Sequence, residues 1–275
     1  MFSVIIPLYN KEQSIKNTIW SALEQTIPDF EIIVVNDGST DSGAAIVEGI
    51  NDDRIRLIHQ HNQGVSAARN KGVSEAKFEW IAFLDGDDLW ETNHLEEIVR
   101  MMKEYPGEKV YVTSFRFSDG RDIYKHPRSS AIFKIENYFK EAIKEHLITT
   151  DNIVINKQCF SQVGGFNVAL NRGEDLDLWA RLARAHNIIK SREITAVYRM
   201  EAENRSDKSY NLHKSILFSY DFLSSASEDE TKYYKHLVIK RLRDFLAKRE
   251  FRNFFKLRKK HAKHISLMSV FKKNI

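Results

Sequence analysis

The chain has 275 residues, 42% of them apolar, and a formal net charge of +4, which suits one large domain or two smaller ones with a real core. Cys159 is the only cysteine, so an intrachain disulfide is excluded and a reducing compartment is the natural setting. The opening "MFSVIIPLYN" has no basic leader, and no segment reaches the roughly 20 apolar residues of a membrane span, so a cytoplasmic protein, soluble or peripheral, is expected.

In chain order, "FSVIIPL" (2–8), "EIIVVND" (31–37), "RIRLIHQ" (54–60) and "WIAFLD" (80–85) are nearly continuous apolar or β-branched runs, the pattern of strands covered on both faces. Helical patterns separate them. Ile15, Ile19, Ala22 and Leu23 share a face, Thr40 and Asp41 are placed to cap a second helix, and "GVSAARNKGVSEA" supplies a third. Leu95, Ile98, Val99 and Met102 mark a fourth. Such alternation predicts a mainly parallel α/β sheet. Beyond residue 106 the pattern becomes mixed. "KVYVTSFRF" (109–117) and "NIVINK" (152–157) read as strands, 135–145 and 176–186 as helices, and "SQVGGFN" (161–167) as a turn. After residues 197–209 the remainder reads as helical, with Tyr234, Val238, Leu242 and Leu246 at i+4 spacing. The expected divisions are 1–105, 106–206 and a basic helical extension, 207–275.

In parallel α/β sheets ligands bind beyond the carboxyl ends of the strands, and four polar clusters fall there: Pro7 to Asn10, Asn36 to Ser39, His61 to Gly64, and Asp85 to Asp88. Each alone reads as an ordinary turn; four at one edge read as a site. Neither G-x-G-x-x-G after the first strand nor G-x-x-x-x-G-K-[ST] occurs, which disfavours a Rossmann dehydrogenase or a P-loop NTPase. A divalent cation bridging carboxylates to a diphosphate is the alternative, and "DGDD" (85–88) offers oxygen ligands for Mg²⁺ or Mn²⁺. Gly86 is expected to let the backbone turn between Asp85 and Asp87.

"SVIIPLYNKEQSIKNTIWSALEQT", "EIIVVNDGSTDSG", "NQGVSAARNKGVSEA" and "WIAFLDGDDLW" resemble, in order, the signature segments of family-2 glycosyltransferases, inverting nucleotide-sugar enzymes of the GT-A fold. A weaker match runs to about residue 206. The resemblance implies an α/β GT-A fold and a metal-dependent transfer of hexosyl or N-acetylhexosaminyl type. It implies a nucleotide-sugar donor, chiefly a UDP-sugar, and a glycan or glycolipid acceptor, as in surface polysaccharide synthesis. Carried over residue by residue, it puts Pro7, Tyr9 and Glu12 around the base and ribose, Asp37 on uracil N3, Arg69 beside the base and diphosphate, and Asp85 toward the ribose. Asp87 becomes the metal ligand, with Asp88 supporting it or capping the next helix. Asp175 matches the general base, with Glu174 beside it, while Gly164, Gly165 and Phe166 match the loop before the acceptor wall. Members often carry histidine two places after a "YR"; here the sequence is "YRMEAENRS", so Glu201 is the expected replacement ligand, against the plainer reading of a surface glutamate. Without the resemblance, Tyr9 would read as a core aromatic, Arg69 as a solvated helix residue, and the acids at 174–177 as favourable helix-start charges.

Charge is unevenly spread: residues 231–275 hold 15 Lys+Arg against two Asp+Glu, which leaves −9 on residues 1–230. Basic and aromatic residues interleave in 235–264. An anionic membrane surface, nucleic acid, and packing onto the acidic body are the three readings, and the first gains from a lipid-linked acceptor. Competing functions are a nucleotide-sugar or nucleic-acid binding protein without transferase activity, and a nucleotidyltransferase; "PLYNKEQS" lacks the glycine- and basic-rich loop of the latter.

Overall fold

A computed structural model of the chain describes residues 1–121, 130–203 and 211–272. The early apolar runs form parallel strands β1 (Phe2–Leu8), β2 (Phe30–Asn36), β3 (Ile55–His59) and β4 (Trp80–Phe83). β1 lies between β2 and β4, with Ile5 level with Ile33 and Phe83, and β3 pairs outside β2. Every residue of β1 and β2 is buried, because helices α1 (Ile15–Leu23), α2 (Gly43–Glu48), α3 (Val65–Glu75) and α4 (His94–Glu104) leave a central parallel strand no wet face. β3 departs from that expectation. It is the edge strand, and its residues are only half covered. The cap of α2 is also shifted: the helix begins after Ser42, and Asp41 contributes by accepting the Gly43 N–H at 3.0 Å.

The second half extends the same sheet with β5 (Leu89–Trp90), β6 (Val110–Phe117), β7 (Ile132–Lys134), β8 (Ile153–Asn156) and β9 (Ile189–Tyr198). The order is β3-β2-β1-β4-β8-β6-β9-β5, with β7 on β9. β8 runs antiparallel to β4 and β6, β6 and β9 are parallel, and β5 and β7 are antiparallel to β9. The helix expected over 135–145 shrinks to α5 (Tyr138–Ala142), which Asn137 caps by accepting the Lys140 N–H. Ile135 is occupied instead in bonding Ile188, just ahead of β9. Helices α6 (Lys157–Gln162) and α7 (Glu174–Ala185) flank the Gly164–Gly165 turn.

The chain ends in α8 (Ile216–Ser219), α9 (Glu228–Ala247), α10 (Phe251–Lys260) and α11 (Leu267–Phe271). Tyr234, Val238 and Leu242 are buried, and Leu246 packs beside them, in one apolar cluster with Ile5, Phe83 and Trp179. The i+4 stripe of the basic extension is therefore a packing face. No helix among the described residues is long and apolar enough to cross a membrane.

Candidate active site

The acidic turn after β4 closes through the Asp88 N–H, which donates to the Asp85 carbonyl at 3.0 Å. A Cβ on Gly86 would lie 2.9 Å from the Pro7 carbonyl oxygen, so glycine is required by the close approach of β1. Its φ is not in the left-handed region, and the expected need for a special turn gives way to this steric one.

The structure sorts the aspartates. Asp85, half-buried, accepts from Arg69 Nη2 at 2.5 Å. Asp88 is buried and accepts the Arg199 N–H at 2.6 Å; α4 starts at His94 behind Asn93, so Asp88 does not cap it. Both lie with Asp151, one oxygen from each carboxylate falling within 4.8 Å of the others. Asp151 precedes β8 in the single turn Thr150–Asn152, and sequence reasoning missed it because "TTDN" looks like an ordinary strand-entry turn. It ties both ends of the acidic segment. Its Oδ1 accepts the Asp85 N–H at 2.7 Å, and its carbonyl accepts Trp90 Nε1 at 2.7 Å. Asp151 Oδ2 is buried and meets no N–H or hydroxyl donor among the described residues. Burial first, and then the neighbouring carboxylates, push the Asp88 and Asp151 carboxyls above their usual range. Three converging carboxylates are hard oxygen donors of the kind that fits an oxygen-preferring divalent cation.

Asp87 stands apart from that trio and pairs with Lys11 Nζ at 2.7 Å. The same ammonium donates to the Glu203 carbonyl. Glu203 is a second residue missed from sequence: its carboxylate accepts the Gln13 and Ser14 N–H groups at 3.1 and 3.0 Å and the Ser14 hydroxyl, taking up donors just ahead of α1. Burial opposes ionisation there, but the Ser14 bonds hold the Glu203 carboxyl below its usual value.

At the end of β1, Pro7 is buried within the strand, while Tyr9 beyond it is 46% exposed and no core aromatic. Glu12 and Asp41 bracket the two loops. The Glu12 N–H donates to Asp41 Oδ2 at 2.9 Å and Glu12 Oε2 accepts the Ser42 N–H at 3.0 Å. Asp37 is buried and accepts from Gln60 Nε2 at 2.7 Å and from the Gln63 and Gly64 N–H groups at 2.9 and 2.8 Å. Those bonds occupy three of its roughly four acceptor positions.

The opposite wall is built at the start of α7. Gly173 sits at φ +71° as its N-cap, and a Cβ there would meet Ile216 Cγ2 at 2.4 Å. Glu174 and Asp175 follow in the first turn; Asp177 is drawn away to Arg181 at 2.7 Å. Arg181 also donates to the Gly165 carbonyl at 2.7 Å, and Asn70 exchanges two bonds with the Phe166 backbone, at 2.8 and 2.9 Å. The Gly164–Phe166 loop is thereby pinned between α7 and α3. Burial first, then the Glu174 charge, raises the Asp175 carboxyl to about 7. Arg69 joins the two walls. It is buried, reaches Asp85 at 2.5 Å and Glu174 at 3.4 Å, and lies 5.0 Å from the Phe166 ring centroid. Burial opposes its charge, but Asp85, Glu174 and Asp175 keep the guanidinium above its usual pKa, so it is no solvated helix residue.

Glu201 is not brought into the carboxylate cluster. It is exposed, accepts from Ser118 Oγ at 2.5 Å and pairs with Arg199 Nε at 3.1 Å, and the Ser118 bond leads in lowering its pKa to about 2. The remainder of the 197–209 stretch, from residue 204, lies outside the described residues.

Known proteins resemble this chain in sequence and fold. An uncharacterized glycosyltransferase of Rickettsia felis is 30% identical over 237 residues, covering 84% of this chain and 39% of its own length. This chain thus spans about two fifths of such relatives. TuaG of Bacillus subtilis, named for teichuronic acid biosynthesis, is 28% identical over 88% of this chain and 98% of its own length. Among solved structures, Staphylococcus aureus TarS (residues 1–349) in complex with UDP-GlcNAc superposes with a TM-score of 0.70 at 20% identity, over 89% of this chain and 72% of that one; the likeness shows the GT-A fold. The family model of glycosyl transferase family 2 matches residues 3–164, more than half of the sequence, and the chain belongs to that family.

Proposed function

We propose that the chain is an inverting, metal-dependent glycosyltransferase that moves a sugar from a UDP-sugar to a hydroxyl of a glycan or lipid-linked acceptor. The observation that carries this reading is geometric: buried Arg69 ties Asp85 of the acidic turn to Glu174, the chain neighbour of Asp175, and burial with the Glu174 charge raises the Asp175 carboxyl to about 7. A base of that strength is half ionised near neutrality, where general-base catalysis is most effective. Inversion asks for such a group facing an acceptor hydroxyl, with the leaving diphosphate held opposite. Asp175 would take the hydroxyl proton as the oxygen attacks the anomeric carbon and the bond to the diphosphate breaks.

Asp85, Asp88 and Asp151, whose carboxylates converge, are the proposed holders of a bound cation, and Asp87, once released by Lys11, is the proposed further ligand toward the cation and diphosphate. A divalent cation bound there would stabilise the negative charge that builds on the departing diphosphate. Lys11 neutralises Asp87 in the chain itself and would release it when the donor arrives. Asp37, with one acceptor position left, suits the uracil N3–H, while exposed Tyr9 suits the face of the base. Glu12 would act indirectly, by fixing the loop that carries Tyr9. Glu201 is left as a rim residue in this scheme; unchanged Mn²⁺ affinity in Glu201→Ala is the expected result.

The UDP and UDP-GlcNAc bound in the TarS crystals make UDP-sugars the first donors to try. TuaG supports a surface polysaccharide as the setting, with a cytoplasmic location that includes the inner face of the membrane. The test is UDP release with Mn²⁺ across a panel of UDP-sugars. Turnover with at least one is expected; absence of both binding and hydrolysis for all would sink the proposal and favour a non-catalytic binding protein.

A further inference from the structure

With the α9 stripe committed to the core, the large apolar side chains left exposed on the extension, Leu223 apart, lie on α10 and α11. α10 buries Phe254 and Leu257 but leaves Phe251 and Phe255 at 53% and 66% exposure. α11 buries Val270 and leaves Leu267, Met268 and Phe271 at 49%, 73% and 66%. Half of the exposed large hydrophobic side chains of the described residues fall in these two helices. Single exposed apolar residues are ordinary, whereas five within 21 positions are not. They also sit in the most basic part of the chain: residues 248–272 carry nine Lys or Arg and one acid, Glu250. Arg252, Lys259, Lys263 and Lys272 are exposed. At 3.6 residues per turn, Phe251 and Phe255 adjoin the Arg252 and Lys259 side of α10, away from the buried Phe254–Leu257 face.

We propose that α10 and α11 form a docking surface for a bilayer containing anionic phospholipid. The Phe251, Phe255, Met268 and Phe271 side chains enter the interfacial layer, and the surrounding Lys and Arg lie among the lipid phosphates on their long stems. Charge chooses among occupants. A second copy would bring the exposed cations Arg252, Lys259, Lys263 and Lys272 against their like, which opposes a symmetric contact. Nucleic acid would satisfy the cations and stack on the phenylalanines, but it would leave aliphatic Leu267 and Met268 in water. An anionic bilayer satisfies both components, and residues 1–230, at −9, would be turned away from it. The inference goes beyond the transferase reading and needs neither donor nor metal.

The experiment is flotation of the full chain with vesicles of phosphatidylcholine, alone or containing phosphatidylglycerol, without nucleotide. The protein is expected to float with the anionic vesicles, to stay behind with the neutral ones, and to be released by high salt. Phe255→Ser/Phe271→Ser should lower partition by about tenfold or more, with a cooperative melt retained because both side chains are mostly exposed. Arg252→Glu/Lys259→Glu should lose the preference for anionic lipid. Equal flotation of wild type and the Phe variant would overturn the proposal, as would failure of the wild type to float. Dimerisation that depends on these phenylalanines, or binding of a single-stranded RNA oligonucleotide, without vesicle binding would overturn it in favour of that partner. Because the readout is binding alone, a negative result leaves the transferase reading intact, and an inactive enzyme leaves this one intact.

Discussion

Two side chains organise the proposed chemistry. Asp175→Asn keeps the shape of the acceptor wall but removes the base; transfer should fall by about 10²–10⁴-fold with UDP-sugar affinity unchanged by calorimetry. Because burial and Glu174 raise the Asp175 carboxyl to about 7, it gains a proton as pH falls through that value. The rate should drop on the acid side of about pH 7, and Asp175→Asn should lose that limb. Arg69→Ala strips the counter-charge from both Asp85 and Glu174. Breaking such a buried network costs about 3–5 kcal/mol, visible in urea unfolding. Arg69→Lys should rescue only part of it, since one ammonium cannot reproduce the planar fork that serves two carboxylates. The sequence named Arg69 through its motif context, yet its reach to Glu174, 105 positions away, depends on a crossing of elements that no local pattern encodes.

Legibility changes at the level of strands and helices. Continuous apolar runs such as Val4 to Leu8 announce buried strands plainly, and those strands carry the site loops at their carboxyl ends. β7 and β5, of three and two residues, were invisible because each is held by pairing with β9 rather than by any periodicity. Asp151 was hidden for the same reason: its place under the acidic turn follows from the antiparallel docking of β8 beside β4. Asp151→Ala removes the acceptor for the Asp85 N–H and should destabilise by about 1–3 kcal/mol; Asp151→Asn, which keeps a carbonyl oxygen, should cost less. Mn²⁺ affinity by electron paramagnetic resonance should fall in the Ala variant if that N–H bond aligns the turn. At the start of α7, Gly173→Ala places a methyl on Ile216 at a left-handed φ. A loss of about 1–3 kcal/mol in thermal unfolding is expected.

At the scale of the molecule, the basic extension does not divide from the catalytic body as the charge asymmetry suggested. Tyr233, Tyr234, Val238 and Phe245 of α9 belong to the cluster that contains Ile5 and Phe83, and buried Glu230 pairs with Arg184 of α7. Ending the chain near residue 230 should therefore unfold the protein, seen as loss of a cooperative melt, rather than release an intact enzyme. Sequence showed the stripe and the charge but not which surface the stripe would meet, since burial against a partner and burial in lipid favour the same residues. The Glu203 clasp sets a schedule for biosynthesis. The donors ahead of α1 leave the ribosome early, while the carboxylate that satisfies them follows some 190 positions later, about 10–40 s at ordinary elongation rates of about 5–20 residues per second. Throughout that interval the loop after β1 stands unlatched, and only late in translation can it close.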